Sequence, residues 1–242
     1  MLIAIWGRDG IGKSALADAL GCMFAGKGVT AVIDTDLTQP SLPARVNGKQ
    51  FDADTSLGRA IGMGAMDATP YLHQHPKVKT LFYIGLTDRD EYLSYEFGLE
   101  ADEAAQVFVE RCQEVADTVI LDLSGQRCDP FMPGAFVYAD KVIVLIAPDV
   151  QGVCWFNSVK PLLATMNAQD RIIPVAAMTD RHHDLSVIEK AVDVKFAATL
   201  PFVKEFRQDS TVSPLDGATV VAARYSKQVK ALCALVKGAG QA

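Results

Sequence analysis

The stretch Leu2-Ile3-Ala4-Ile5-Trp6-Gly7-Arg8-Asp9-Gly10-Ile11-Gly12-Lys13-Ser14 decides how this chain folds. Its five leading apolar residues, without polar alternation, read as a strand covered on both faces. The eight residues that follow match G-x-x-x-x-G-K-[ST] in full. Glycines in such a loop let backbone N–H groups turn inward around an anion, and the helix that follows adds its positive N-terminal end. Lys13 then supplies a point charge for the β and γ phosphates of a nucleotide, and the Ser14 hydroxyl a ligand for Mg2+. The run from Lys13 to Lys27, rich in Ala, Leu and Met, reads as that helix. With strand, loop and helix in order, a chance match in a glycine-containing turn is the weaker account.

Outward from this unit, short apolar runs recur at Val29 to Ile33, Leu81 to Ile84, Val119 to Leu123, Val142 to Ala147, Ile172 to Ala177 and Ala197 to Leu200. Between them lie helical candidates at Glu103 to Ala116, Val153 to Met166, Leu185 to Val192 and Thr219 to Val236. Strand alternating with helix predicts an α/β fold, a doubly wound and mostly parallel sheet with helices on both faces. Thr38 to Lys79 reads as short helices and loops, and Thr87 to Glu100 as an exposed charged segment. No repeat or linker divides the chain, so one domain over residues 1–242 is expected.

Ligands of such sheets bind beyond the carboxyl ends of the strands. That rule points to Gly7 to Ser14, Asp34 to Pro40, Asp122 to Gly125 and Pro148-Asp149. Asp34 and Asp36 share one side of an extended chain, being two residues apart. Beside a triphosphate, two such acids hold the metal shell and orient the attacking water; the residues alone leave open a solvated turn. Asp122 is the expected acid on a separate strand reaching Mg2+, and Gly125 leaves room for an amide to approach a γ-phosphate.

Composition excludes several classes. Half the residues are hydrophobic, enough for a sizeable core in 242 residues, and the net charge of −6 speaks against a surface devoted to nucleic acid. From Lys204 to the end six basic residues face three acidic ones, which keeps DNA open as an alternative partner without supporting it. Five widely spaced cysteines with no C-x-x-C pair fit reduced thiols. Leu2 to Trp6 is too short for a signal-peptide core, and no run approaches a membrane span, so a cytoplasmic location is expected. The pairs His73/His75 and His182/His183 lack acidic or thiol partners at ligand spacing and read as loop histidines. The apolar face Val221, Tyr225, Val229, Leu232, Val236 reads as a last helix packing on the sheet.

At these residues the sequence resembles the MinD/ParA family of ATPases with a deviant phosphate loop. Gly7 to Ser14 is similar to that family's G-K-G-G-V-G-K-T, and Val32 to Leu42 (VIDTDLTQPSL) to its V-I-D-A-D-L-x-x-P-S-L. Ala116 to Gly125 resembles Y-D-x-I-I-x-D-x-P-A-G, Ala139 to Pro148 resembles A-D-E-V-I-I-V-x-x-P, and Leu200-Pro201-Phe202 matches the late I-P-Y element. The resemblance implies seven or eight strands, ATP and Mg2+ as cofactors, and an ATP-dependent face-to-face homodimer. It places the nucleotide on Gly7, Arg8, Asp9, Gly10, Ile11, Gly12, Lys13, Ser14 and Ala15, with Pro201 and Phe202. It makes Ser14, Asp34, Asp36 and Asp122 the metal surroundings, with Asp36 also the water-orienting acid, and Lys13, Asp36 and Arg8 the catalytic set.

Two departures stand out. The family's signature lysine, which crosses to the partner's phosphates, is Arg8 here, and Asp9 replaces a glycine. Arginine keeps the charge but is longer and planar, and Asp9 is expected to position it. Where the family places an adenine-contacting asparagine stands Ala177-Met178-Thr179-Asp180, and no [NT]-K-x-D occurs there, so ATP is expected over GTP. The implied function is a slow, partner-stimulated ATPase whose nucleotide state positions or partitions a plasmid, a polar apparatus or a septum site through an unidentified activator or cargo. The alternative is a nucleotide-binding scaffold with little hydrolysis, such as a pilus or secretion localisation factor.

Overall fold

The computed structural model describes residues 1–46, 51–91, 100–166, 168–208 and 220–238. Its strands are β1 (Leu2–Gly7), β2 (Thr30–Asp34), β3 (His73–Gln74), β4 (Leu81–Ile84), β5 (Thr118–Asp122), β6 (Lys141–Ile146), β7 (Ile172–Thr179) and β8 (Ala198–Pro201). The helices are α1 (Lys13–Ala25), α2 (Leu42–Arg45), α3 (Leu57–Gly62), α4 (Ala101–Val115), α5 (Met132–Tyr138), α6 (Val150–Thr165), α7 (Leu185–Val192), α8 (Glu205–Gln208) and α9 (Val220–Val236). All eight strands form one sheet in the order β3-β4-β2-β5-β1-β6-β7-β8. Every neighbouring pair is parallel except β3 with β4. The seven apolar runs are the parallel strands; β3 was not foreseen, because two residues carry no periodicity.

Alternation along β1 separates two cores. Ile3 and Ile5 pack with Leu16 and Leu20 of α1 and Leu232 of α9 on one face. Leu2, Ala4 and Trp6 pack with Phe108 of α4 and Phe136 of α5 on the other. Because both faces are covered, β1, β2 and β5 are buried at every residue, which is why they read as unbroken apolar runs. Trp6 meets Phe136 edge-on at 4.9 Å and Trp155 at 5.0 Å, which fastens α5 and α6 to the sheet.

The last helix packs on the sheet as expected, with one change of face. Tyr225, Val229, Leu232 and Val236 are buried, but Ala222 joins them, whereas Val221 is 43% exposed. Thr219, most of the charged segment (92–99) and the stretch 209–219 lie outside the described residues. Among the described residues no helix is long and apolar enough to cross a membrane. His75, His182 and His183 lie in loops as expected, whereas His73 belongs to β3. His73 Nε2 lies 3.0 Å from the Thr55 carbonyl, and His75 Nδ1 accepts from the amides of Lys77 and Val78, each at 3.0 Å.

Phe108 is fully buried and meets Tyr71 edge-on at 5.5 Å. Phe108→Ala should lower unfolding stability by about 3–5 kcal/mol, the usual cost of deleting a buried aromatic. Urea denaturation should show a lower midpoint with an unchanged slope.

Candidate functional site

The chain leaves β1 at Gly7, where the Leu145 carbonyl of β6 would lie 2.9 Å from a Cβ, so only glycine fits. Gly10 and Gly12 then take φ of +73° and +90°, the left-handed region that L side chains avoid. Gly12 is the residue from which α1 starts, and the loop's amides therefore lead into a helix N-terminus. Lys13 is buried. Its Nζ donates to the carbonyls of Gly7 (3.1 Å) and Arg8 (3.2 Å) and to Asp9 Oδ1 (3.1 Å).

Parallel register brings the acids together. Asp34 ends β2 directly beside Asp122, which ends β5, and both are buried. Two adjacent buried carboxylates require a cation, and the chain provides it in Arg45 at the end of α2. The Arg45 guanidinium pairs through Nη2 with Asp34 Oδ2 (3.1 Å) and Asp122 Oδ2, and through Nη1 with Asp18 Oδ1 of α1 (3.4 Å). It also lies over the Tyr83 ring at 5.6 Å. Burial works against the guanidinium's charge, but Asp18, Asp34 and Asp122 outweigh it and hold it protonated. Burial pushes the Asp122 carboxyl up to about 6, with Asp34 adding to the rise; Arg45 and the Ser14 hydroxyl oppose it. Asp36, half-buried beyond the strand end, accepts from the Thr38 amide (2.9 Å).

Two further contacts brace the loops. Buried Asp129 accepts from the Thr35 hydroxyl and from the amides of Ser124 and Phe131 (each 2.9 Å), so the loops after β2 and β5 share one carboxylate. Burial raises its pKa to about 6 despite those hydrogen bonds. Asp9 does not position Arg8. Its Oδ1 accepts from Lys13 Nζ and, also at 3.1 Å, from the Gly125 amide. Arg8 instead reaches across to Asp149 Oδ2 (2.8 Å) and Gln151 Oε1 (3.5 Å) at the start of α6. Adjacent residues in a tight loop point apart, so their opposite charges do not imply a pair.

These loops border a cleft of about 850 Å3. Residues 9–15, Asp34, Asp36 and Asp122 line it, and Met178, Pro201 and Phe202 form its apolar end. Met178 takes φ +57°, strained for a non-glycine residue, at an irregularity in the β7–β8 pairing. Gly7 and Arg8 do not line the cleft. Arg45, Asp18 and Asp129 are missing from the residues expected around the metal and nucleotide. The loop's nest and Lys13 suit a polyphosphate, and the oxygen-only set Ser14, Asp34 and Asp122 suits Mg2+, which takes its remaining ligands from phosphate and water. Among the described residues no group of three or more His, Cys, Asp or Glu forms a metal site of its own.

No family model and no curated protein matches the chain. Solved structures do. A plasmid partition protein from Borrelia burgdorferi bound to AMPPNP superposes with a TM-score of 0.77 at 15% identity, over 98% of each chain. MinD from Pyrococcus horikoshii, complexed with Mg-ADP, gives 0.76 at 13% identity over 100% of this chain and 99% of that one. A ParA family ATPase from Chlorobium tepidum gives 0.75 at 15% identity over 96% and 98%. The chain has the fold of the ParA and MinD ATPases. That fold, with its eight-stranded, mostly parallel sheet, is the one the family resemblance implied.

Arg45→Ala should leave the buried carboxylates unpaired and cost about 3–5 kcal/mol of stability. A raised Asp122 pKa favours the folded state at low pH, where the acid is neutral, and that contribution is lost as pH rises through about 6. The variant's deficit in urea midpoint should therefore be larger at pH 8 than at pH 5.

Proposed function

We propose that this chain belongs with the ParA and MinD proteins as a Mg2+-dependent, ATP-hydrolysing switch. In this reading its 242 residues work as one nucleotide-binding domain whose nucleotide-dependent homodimerisation positions or partitions a cargo. The observation that carries the reading is the phosphate loop at the end of β1, facing Asp34, Asp36 and Asp122 across one cleft.

Lys13 leaves its loop carbonyls to neutralise the β and γ phosphates, and the loop amides hold the remaining oxygens. The Ser14 hydroxyl, Asp34 and Asp122 would hold Mg2+, which would supply positive charge against the phosphates. Arg45 pairs with both acids and holds them in place. Asp36, the half-exposed acid of the cleft, orients the attacking water. Met178, Pro201 and Phe202 supply an apolar surface for the base, and the Thr179 to His182 stretch has no [NT]-K-x-D for guanine. Turnover is slow and partner-stimulated, and the activator or cargo is a protein; the net charge of −6 does not favour DNA.

One observation favours a second reading, a nucleotide-binding scaffold with little hydrolysis. Arg8, in the place of the family's crossing lysine, is held by Asp149 of its own chain. To reach a partner's nucleotide it must give up that contact, a small cost for a half-exposed pair.

Lys13→Ala should abolish measurable ATP binding by calorimetry; unchanged affinity would place the nucleotide elsewhere. Asp36→Ala should keep ATP binding but slow single-turnover phosphate release by roughly a hundredfold, the scale of a lost acid–base contribution. Wild-type release no faster than that of Lys13→Ala selects the scaffold.

A further inference from the structure

The Asp9 carboxylate occupies an informative position. A single oxygen, Oδ1, accepts from Lys13 Nζ at 3.1 Å and from the Gly125 amide at 3.1 Å. These donors come from different loops, one after β1 and one after β5, and Asp9 is the atom group that joins them. The approach is close enough that a Cβ on Gly125 would collide with the Asp9 carboxylate. The Asp9 side chain is otherwise 75% exposed, so no packing holds it there. Its position is set by the two donors.

A γ-phosphate bound in this cleft needs the same two donors: the lysine amine of the phosphate loop and the amide after the metal-side strand. We infer that Asp9 is an internal stand-in for the γ-phosphate and makes the site discriminate between nucleoside di- and triphosphates. The inference rests on the nucleotide reading above and deepens it. A diphosphate reaches Lys13 through its β-phosphate but leaves the Asp9 contact with the Gly125 amide intact. A triphosphate must displace a carboxylate from both donors and then bear a like charge beside its terminal oxygens. Asp9 therefore lowers affinity for ATP relative to ADP. It also ties Gly125 to the phosphate loop when no γ-phosphate is present, which links the β5 loop to the terminal phosphate.

The test is calorimetric titration of wild type, Asp9→Asn and Asp9→Ala with Mg-ADP and with a slowly hydrolysed Mg-ATP analogue. Removing the charge should tighten the triphosphate by roughly tenfold, the equivalent of one charge-assisted contact. The diphosphate should change by less than about twofold. Both variants should keep the wild-type melting temperature, because the residue is exposed. A second readout needs no nucleotide: amide hydrogen exchange at Gly125 should accelerate several-fold in Asp9→Ala. If the two nucleotides shift together, or neither shifts, Asp9 only closes the loop and the inference is overturned. If neither nucleotide binds even wild type, the nucleotide reading itself fails, and this inference with it.

Discussion

Everything at the carboxyl edge of the sheet depends on one buried guanidinium. Parallel strands covered on both faces bring Asp34 and Asp122 to adjacent ends, and α1 brings Asp18 beside them. Placed there without a cation, these acids would repel one another in a poorly solvated site. Arg45 resolves that conflict. It enters from α2, so one side chain ties the connection after β2 to two central strands and to the helix that follows the phosphate loop. Its place also fixes the orientation of the carboxylates at the strand ends, beside the phosphate loop.

Two lesser contacts repeat the theme. Asp129 joins the loops after β2 and β5 through the Thr35 hydroxyl and the Ser124 amide. Asp9 joins the loops after β1 and β5 through Lys13 and Gly125. Every loop that would touch a phosphate is thus cross-linked to another by a carboxylate. A ligand that exchanges any one contact moves more than one loop, which is the physical requirement for a switch.

Strands and the phosphate loop were legible in the sequence because they are local. Two-faced burial turns β1, β2 and β5 into unbroken apolar runs, and the glycines at 10 and 12 answer a backbone demand that only glycine meets. Arg45 left no such mark. It lies in the irregular stretch after Thr38, and its partners are as far as 77 residues away in the chain. Asp129 was hidden for the same reason, with Thr35 94 residues away. The Arg8–Asp9 neighbourhood misled in the opposite sense: sequence adjacency suggested a pair, while the loop sends one side chain to α6 and the other to Lys13 and Gly125. Val221 lost its place to Ala222 because an apolar stripe read from sequence defines a helix face only to within a residue.

The central claim is that nucleotide phosphates bind where the loops after β1, β2 and β5 meet. Amide hydrogen exchange of the whole chain, with and without Mg2+ and a slowly hydrolysed ATP analogue, tests it most directly. The account predicts that protection gained on binding concentrates in peptides covering residues 7–14, 34–46 and 122–126, with little change in β7 or α4. Protection confined to other segments, with residues 7–14 unchanged, would contradict it.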